Sequence, residues 1–249
     1  MPEGPSLILL REELSQFVGA RVVDVGGTAA IDLGRMRGHR VRAVRTWGKH
    51  LLLEFDGVTL RIHLLLYGRC RVMSHPAAVA RGAAPRVSLE FDEARVDFTA
   101  CSAKYVEGEL DNAYEWRADV MSDAWDPAAA RAKLRAAPDM LACDALLDQG
   151  IFSGAGNIIK NEVLFRIRVH PLSRIGGLPA RKLSGLVDDV RGYSFDFLAW
   201  KRGGVLKSKW QVHTRLLCPR CGGALRHDKA LGKSKRRSFC CEHCQVLYP

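Results

Sequence analysis

The sequence has no apolar run approaching the ~18 residues that a membrane-spanning helix requires. Its start, Met1-Pro2-Glu3-Gly4-Pro5, has no basic stretch ahead of an apolar core, so no secretory leader is expected. A glycine-rich phosphate loop and an alternation of strands with helices are both missing, which disfavours nucleotide-cofactor chemistry on a doubly wound sheet. Acidic residues are nearly absent from positions 201–249, where Asp228 and Glu242 stand against twelve lysines and arginines. Most of the net charge of +11 over 249 residues therefore sits in this tail. With 47% hydrophobic and 26% charged residues, the composition is ordinarily globular and sufficient for a buried core. A polyanion gains from such a tail through counterion release, and nucleic acid suits it better than an acidic membrane. The expected setting is cytoplasmic, associated with the nucleoid through DNA if the source is bacterial.

Four of the eight cysteines form two C-x-x-C knuckles, Cys218-Pro-Arg-Cys221 and Cys241-Glu-His-Cys244, nineteen residues apart. Each knuckle turns two thiolates toward one point, so the four suit one structural zinc ion (Zn2+) in a zinc ribbon. A pair of disulfides is the competing reading, disfavoured in a reducing compartment. Cys240 adjoins a knuckle, but its spacing is wrong for a ligand. Between the knuckles, Gly232-Lys-Ser-Lys-Arg-Arg-Ser-Phe239 is expected at the basic tip of a β-hairpin, suited to a DNA groove.

The first half reads as strands: Val41–Trp47, His50–Phe55, Val58–Leu66, Arg86–Phe91 and Arg95–Thr99, with Asp56-Gly57 as a hairpin turn. A helix over Leu7–Phe17 precedes them. Strands without intervening helices imply an antiparallel sandwich or barrel. From about residue 120 the pattern turns helical: Ala128–Ala136 behind the cap Asp126-Pro127, then Met140–Gln149, Asn157–Phe165 and Leu178–Trp200. The Gly-rich break at 150–156 puts a helix N-terminus and backbone N–H groups where a phosphate can bind.

Pro2-Glu3-Gly4-Pro5, Trp47-Gly-Lys49-His-Leu-Leu52, Gly154-Ala-Gly-Asn157-Ile-Ile-Lys-Asn-Glu162-Val-Leu-Phe165 and the four-cysteine finger resemble the formamidopyrimidine-DNA glycosylase/endonuclease VIII family. The motifs occur in family order from residue 2 to 244. The resemblance implies an α+β protein with an N-terminal β-sandwich and flanking helix (1–115), a helix–two-turns–helix domain (116–210) and a C-terminal zinc-ribbon finger (211–249). It implies a monomer that binds damaged double-stranded DNA in a cleft, extrudes the damaged nucleotide and needs no membrane. Thr99–Tyr105, Gly150 and Asp148-Gln149 resemble the endonuclease VIII branch, so oxidised pyrimidines are the expected substrates. Oxidised purines, or lesion binding without cutting, are the alternatives. Ser6 departs from the acidic residue that members often carry there.

The chemistry the resemblance assigns is coherent. With Met1 removed, Pro2 offers a secondary amine with a reference pKa of about 8, which can attack sugar C1′ and form a Schiff base. Glu3 is the general acid/base and Lys49 a positive charge near the reacting sugar. Asn157 is implied to bind phosphate. Arg236, five residues before Cys241, is the implied finger arginine, with Arg237 competing. Leu66 and Tyr67 are implied to fill the void left by the extruded base, Leu65 less clearly. Lys160, one turn beyond Asn157, is expected either on a phosphate or in solvent.

Overall fold

Helix α1 covers Gly4–Leu14 and continues through a 3-10 turn at Ser15–Phe17. It starts before the expected Leu7, because Pro5 stands in the first turn, where no amide hydrogen is needed. The computed structural model describes residues 2–74 and 84–249. They fall into two units, Met1–Tyr114 and Glu115–Pro249.

In the first unit the strands are β1 (Asp24–Gly26), β2 (Ala43–Trp47), β3 (His50–Phe55), β4 (Val58–Ser74), β5 (Val87–Glu90) and β6 (Ala94–Glu107), followed by the short helix α2 (Leu110–Ala113). All neighbours pair antiparallel in the order β1-β5-β6-β4-β3-β2. The Asp56-Gly57 turn places Phe55 opposite Val58 and so fixes Leu53 on Leu60 and Leu51 on Ile62. The expected β3 bounds hold, whereas β4 and β6 each run eight residues beyond the expected ends at Leu66 and Thr99. These two long strands serve both halves of the sheet, and the ladder between them breaks at a bulge between Leu64 and Arg69. Leu51, Leu53, Leu60 and Ile62 from one half share a core with Val87, Leu89, Val96 and Phe98 from the other, joined by Leu7 and Leu14 of α1. The sheet thus encloses its own core as a sandwich whose corner strands pass between layers.

The second unit holds α3 (Pro127–Arg135), α4 (Ala142–Ala145), α5 (Asn157–Arg166), α6 (Ala180–Arg202), α7 (Leu206–Lys209) and the hairpin β7 (Arg226–Leu231)–β8 (Arg236–Cys240). Asp126 caps α3 by accepting the N–H groups of Ala128 and Ala129 at 2.8 and 3.0 Å. The helix expected over Met140–Gln149 shrinks to the four residues of α4. Beyond it the Asp148 carboxylate takes the Gly150 N–H at 2.8 Å, a local bond that draws the backbone out of a helix. Leu146, Phe152, Ile159, Val163, Leu186 and Val190 anchor the core of this unit. A smaller cluster of Phe165, Val212, Cys218, Leu225 and Phe239 supports the cysteine finger. Among the described residues no helix is long and apolar enough to cross a membrane.

Candidate active site and metal centre

Pro2 is half-buried, and Glu3, at the N-cap of α1, is only 3% exposed. Removal of Met1 lies outside the described residues. Helix α1 packs on β2 and β3. The hairpin of those two strands closes through the two-residue turn Gly48-Lys49, with Trp47 opposite His50 and Gly48 at φ +55°. The turn leaves Lys49 half-buried between β2 and β3, the two strands on which α1 packs.

The register of β3 on β4 adds residues that sequence reasoning missed. His50 lies directly opposite His63, with ring centroids 5.4 Å apart. Burial, then the charges of Arg61, His63 and Lys49, depresses the His50 pKa to about 4. Burial also lowers His63, helped by Lys49 and Arg61. Burial thus comes first, and the neighbouring positive charges add to it, in disfavouring the charged form of both imidazoles. The hairpin turn at Asp56-Gly57 was the available signal, since counting back from it pairs 50 with 63.

Leu65, Leu66 and Tyr67 stand 45%, 58% and 81% exposed at the β4 bulge. Gly68 makes that bulge possible, because a Cβ there would lie 2.7 Å from the Ala100 carbonyl oxygen. Core packing is thus excluded for all three side chains.

In the second unit Gln149 shapes the turn before α5. Its amide donates to the carbonyls of Leu147 and Ala155 at 2.9 and 3.1 Å, and its oxygen accepts the Gly154 N–H at 3.2 Å. Gly156 is the N-cap of α5, so Asn157 is its first helical residue and does not cap it. The Asn157 carboxamide oxygen has no hydrogen-bond partner among the described residues. Arg236 and Arg237 are both exposed on β8. Lys160 departs from both expectations: it is 1% exposed, and its ammonium donates to the Arg237 carbonyl at 2.9 Å. Helix α5 buries every residue from Ile159 to Phe165, so no face is left for solvent at position 160.

The thiols of Cys218, Cys221, Cys241 and Cys244 converge within 4.8 Å of one another. Sγ of Cys218 lies 3.8 Å from that of Cys244, and Sγ of Cys221 lies 3.6 Å from that of Cys241. Four sulfurs about 2.3 Å from one tetrahedral ion have edges of about 3.8 Å, so the donor set fits a structural zinc finger. Arg220, inside the first knuckle, donates to the Phe165 and Arg166 carbonyls at 2.7 and 3.2 Å, closing the C-terminus of α5. Cys240 points elsewhere. Its Sγ lies 3.7 Å from Nε2 of His170, whose Nδ1 accepts the Leu172 N–H at 3.3 Å. With Nδ1 accepting, Nε2 is left to donate toward Cys240 and the Glu242 carboxylate, 3.4 Å away.

A model of the formamidopyrimidine-DNA glycosylase N-terminal domain matches residues 1–104. A protein of Streptomyces coelicolor named "Probable endonuclease 8 2" is 30% identical over 265 residues, covering 99% of this chain and 94% of its own length. The chain belongs to the formamidopyrimidine-DNA glycosylase/endonuclease VIII family. The family's fold is present throughout: the solved Lactococcus lactis formamidopyrimidine-DNA glycosylase, bound to DNA containing an abasic site, superposes with a TM-score of 0.84 at 20% identity, over 98% of this chain and 99% of that one. Mouse "Endonuclease 8-like 3" is 28% identical over 216 residues, and this family member spans only 36% of that relative's length.

Proposed function

We propose that the chain is a bifunctional DNA glycosylase and abasic-site lyase of base excision repair, acting on oxidised bases, pyrimidines above purines. The secondary amine of Pro2 attacks C1′ of the extruded nucleotide; the N-glycosidic bond breaks and the base leaves with a proton. Glu3 protonates the ring oxygen as the sugar opens to the iminium. Loss of a C2′ proton then expels the 3′ phosphate, and a further elimination expels the 5′ phosphate, leaving a one-nucleotide gap. Lys49 supplies positive charge toward the reacting nucleotide and its phosphate. Asn157 and Arg236 hold backbone phosphates, and Leu66 and Tyr67 replace the extruded base in the stack. The four cysteines hold one structural zinc, which supplies a covalent scaffold for the finger and no chemistry at the sugar. The partner is damaged duplex DNA, and the chain works as a monomer.

The observation that carries this reading is the exposed strip Leu65–Tyr67. A fold that keeps large apolar side chains in water at a strand bulge, held there by Gly68, has a use for them against another apolar surface. Unstacked bases are such a surface. Borohydride trapping on abasic duplex DNA is the test. The wild type is expected to form a covalent adduct that Pro2→Gly and Glu3→Gln abolish; a fully folded wild type that forms none overturns the reading. Cutting of thymine glycol, dihydrouracil and 8-oxoguanine in one duplex decides the base preference, and preferential release of 8-oxoguanine opposite cytosine reverses it.

A further inference from the structure

Lys160 is a lysine in a place that penalises one. A buried ammonium is strongly disfavoured unless its protons are matched, so its interaction with the Arg237 carbonyl at 2.9 Å ties the position of β8 to α5. The tip of the same hairpin is held from a second helix. The Asp144 carboxylate on α4 accepts the N–H of Lys233 at 2.8 Å, and the N–H and hydroxyl of Ser234 each at 2.9 Å. It sits so close that a Cβ on Gly232 would meet it at 2.6 Å. Asn161 adds a third point, accepting the Phe239 N–H at 3.3 Å.

The hairpin needs such holding. Its register shifts between Asp228 and Leu231, and Lys235 carries a φ of +47°, a left-handed conformation that is disfavoured for a side-chain-bearing residue. A one-residue slip in a ribbon exchanges the faces of neighbouring side chains. Here that exchange swaps Arg236 for Arg237. The bonds at 233, 234 and 237 bracket Arg236 on both sides.

We propose that Lys160 and Asp144 clamp the finger hairpin in one register and so make Arg236, not Arg237, the arginine that meets DNA. Both are positioning residues, neither touching the nucleic acid. The proposal rests on the glycosylase/lyase reading for the role of Arg236, but the clamp itself can be read without DNA.

The test combines two measurements on zinc-loaded protein. In the first, Lys160→Met, Lys160→Arg and Asp144→Ala are crossed with Arg236→Ala and Arg237→Ala, and abasic-site cleavage is followed. Lys160→Met is expected to raise KM about tenfold with kcat within about twofold, and to add nothing in the Arg236→Ala background, the signature of a shared interaction. Lys160→Arg should restore the wild-type KM. In the second, trypsin cleaves at the exposed Lys233, Lys235, Arg236 and Arg237, faster in Lys160→Met and in Asp144→Ala at unchanged zinc content. If Lys160→Met loses zinc or fails to fold, Asp144→Ala carries the same cycle. Effects of the clamp variants that multiply with Arg236→Ala, or unchanged trypsin rates in both, overturn the proposal. A wild type inert on abasic DNA removes the enzymatic reading and the role of Arg236 with it, whereas unchanged trypsin rates remove the clamp alone.

Discussion

Two groups of ionisable side chains, one in each unit, are held differently. In the second unit, Lys160 meets a carbonyl, and Glu162 accepts the N–H groups of Gln211, Val212 and His213 at 2.9, 3.0 and 2.8 Å. Burial raises the Glu162 pKa, and those three donors work against the rise. In the first unit the half-buried His50 and His63 are lowered by burial first and then by the charges of Arg61 and Lys49. Matched groups build a scaffold, whereas the proposed role of Lys49 calls for positive charge that an anion can meet.

The comparison breaks most sharply under paired substitution. Lys49→Ala is expected to lower kcat on abasic DNA by about a hundredfold or more with little change in Tm. Glu162→Ala should do the reverse, destabilising the second unit by about 3 kcal/mol as three backbone N–H groups lose their acceptor, measured by urea unfolding. Equal effects of the two on Tm would erase the distinction.

A smaller effect comes from pH. His213 in the second unit is also depressed to about 4, by burial first and then by Arg237 and Lys160, while its Nδ1 lies 3.0 Å from the Asn161 amide. An unfolded histidine titrates near 6.5, so between pH 6.5 and 4 the unfolded chain binds more protons and stability falls as pH falls. For buried His213 the loss amounts to about 3 kcal/mol across that window, and His213→Gln should flatten the slope of urea midpoint against pH. His50 contributes in the same direction in the first unit.

The smallest effect on stability belongs to the exposed strip. Tyr67→Ala should leave Tm unchanged and weaken binding to abasic duplex by about tenfold, since stacking on a base is worth about 1–3 kcal/mol. A drop in Tm with unchanged affinity would return Tyr67 to a structural role.

Much of this arrangement was legible in the residues. The α5 expectation of Asn157–Phe165 ends one residue short of the observed helix, the Asp126 cap holds, and the two knuckles converge as their spacing implied. What escaped has physical causes. Leu64-Leu65-Leu66 breaks the alternation that marks a strand, because the chain bulges there and turns the next two side chains outward. Helix α5 is enclosed on nearly all sides, so no periodicity showed that Lys160 faces protein. The exposed positions of Arg236 and Arg237 look alike in sequence, and the bonds proposed to tell them apart come from partners 77 to 90 residues away along the chain.

The turn at Gly48-Lys49 has no spare length. Two residues join strands paired from Trp47–His50 outward, so inserting or deleting one here would invert which side chains of the following strand meet the core. Descendants of this chain can neither lengthen nor shorten that corner, and the left-handed backbone at Gly48 favours keeping a glycine there.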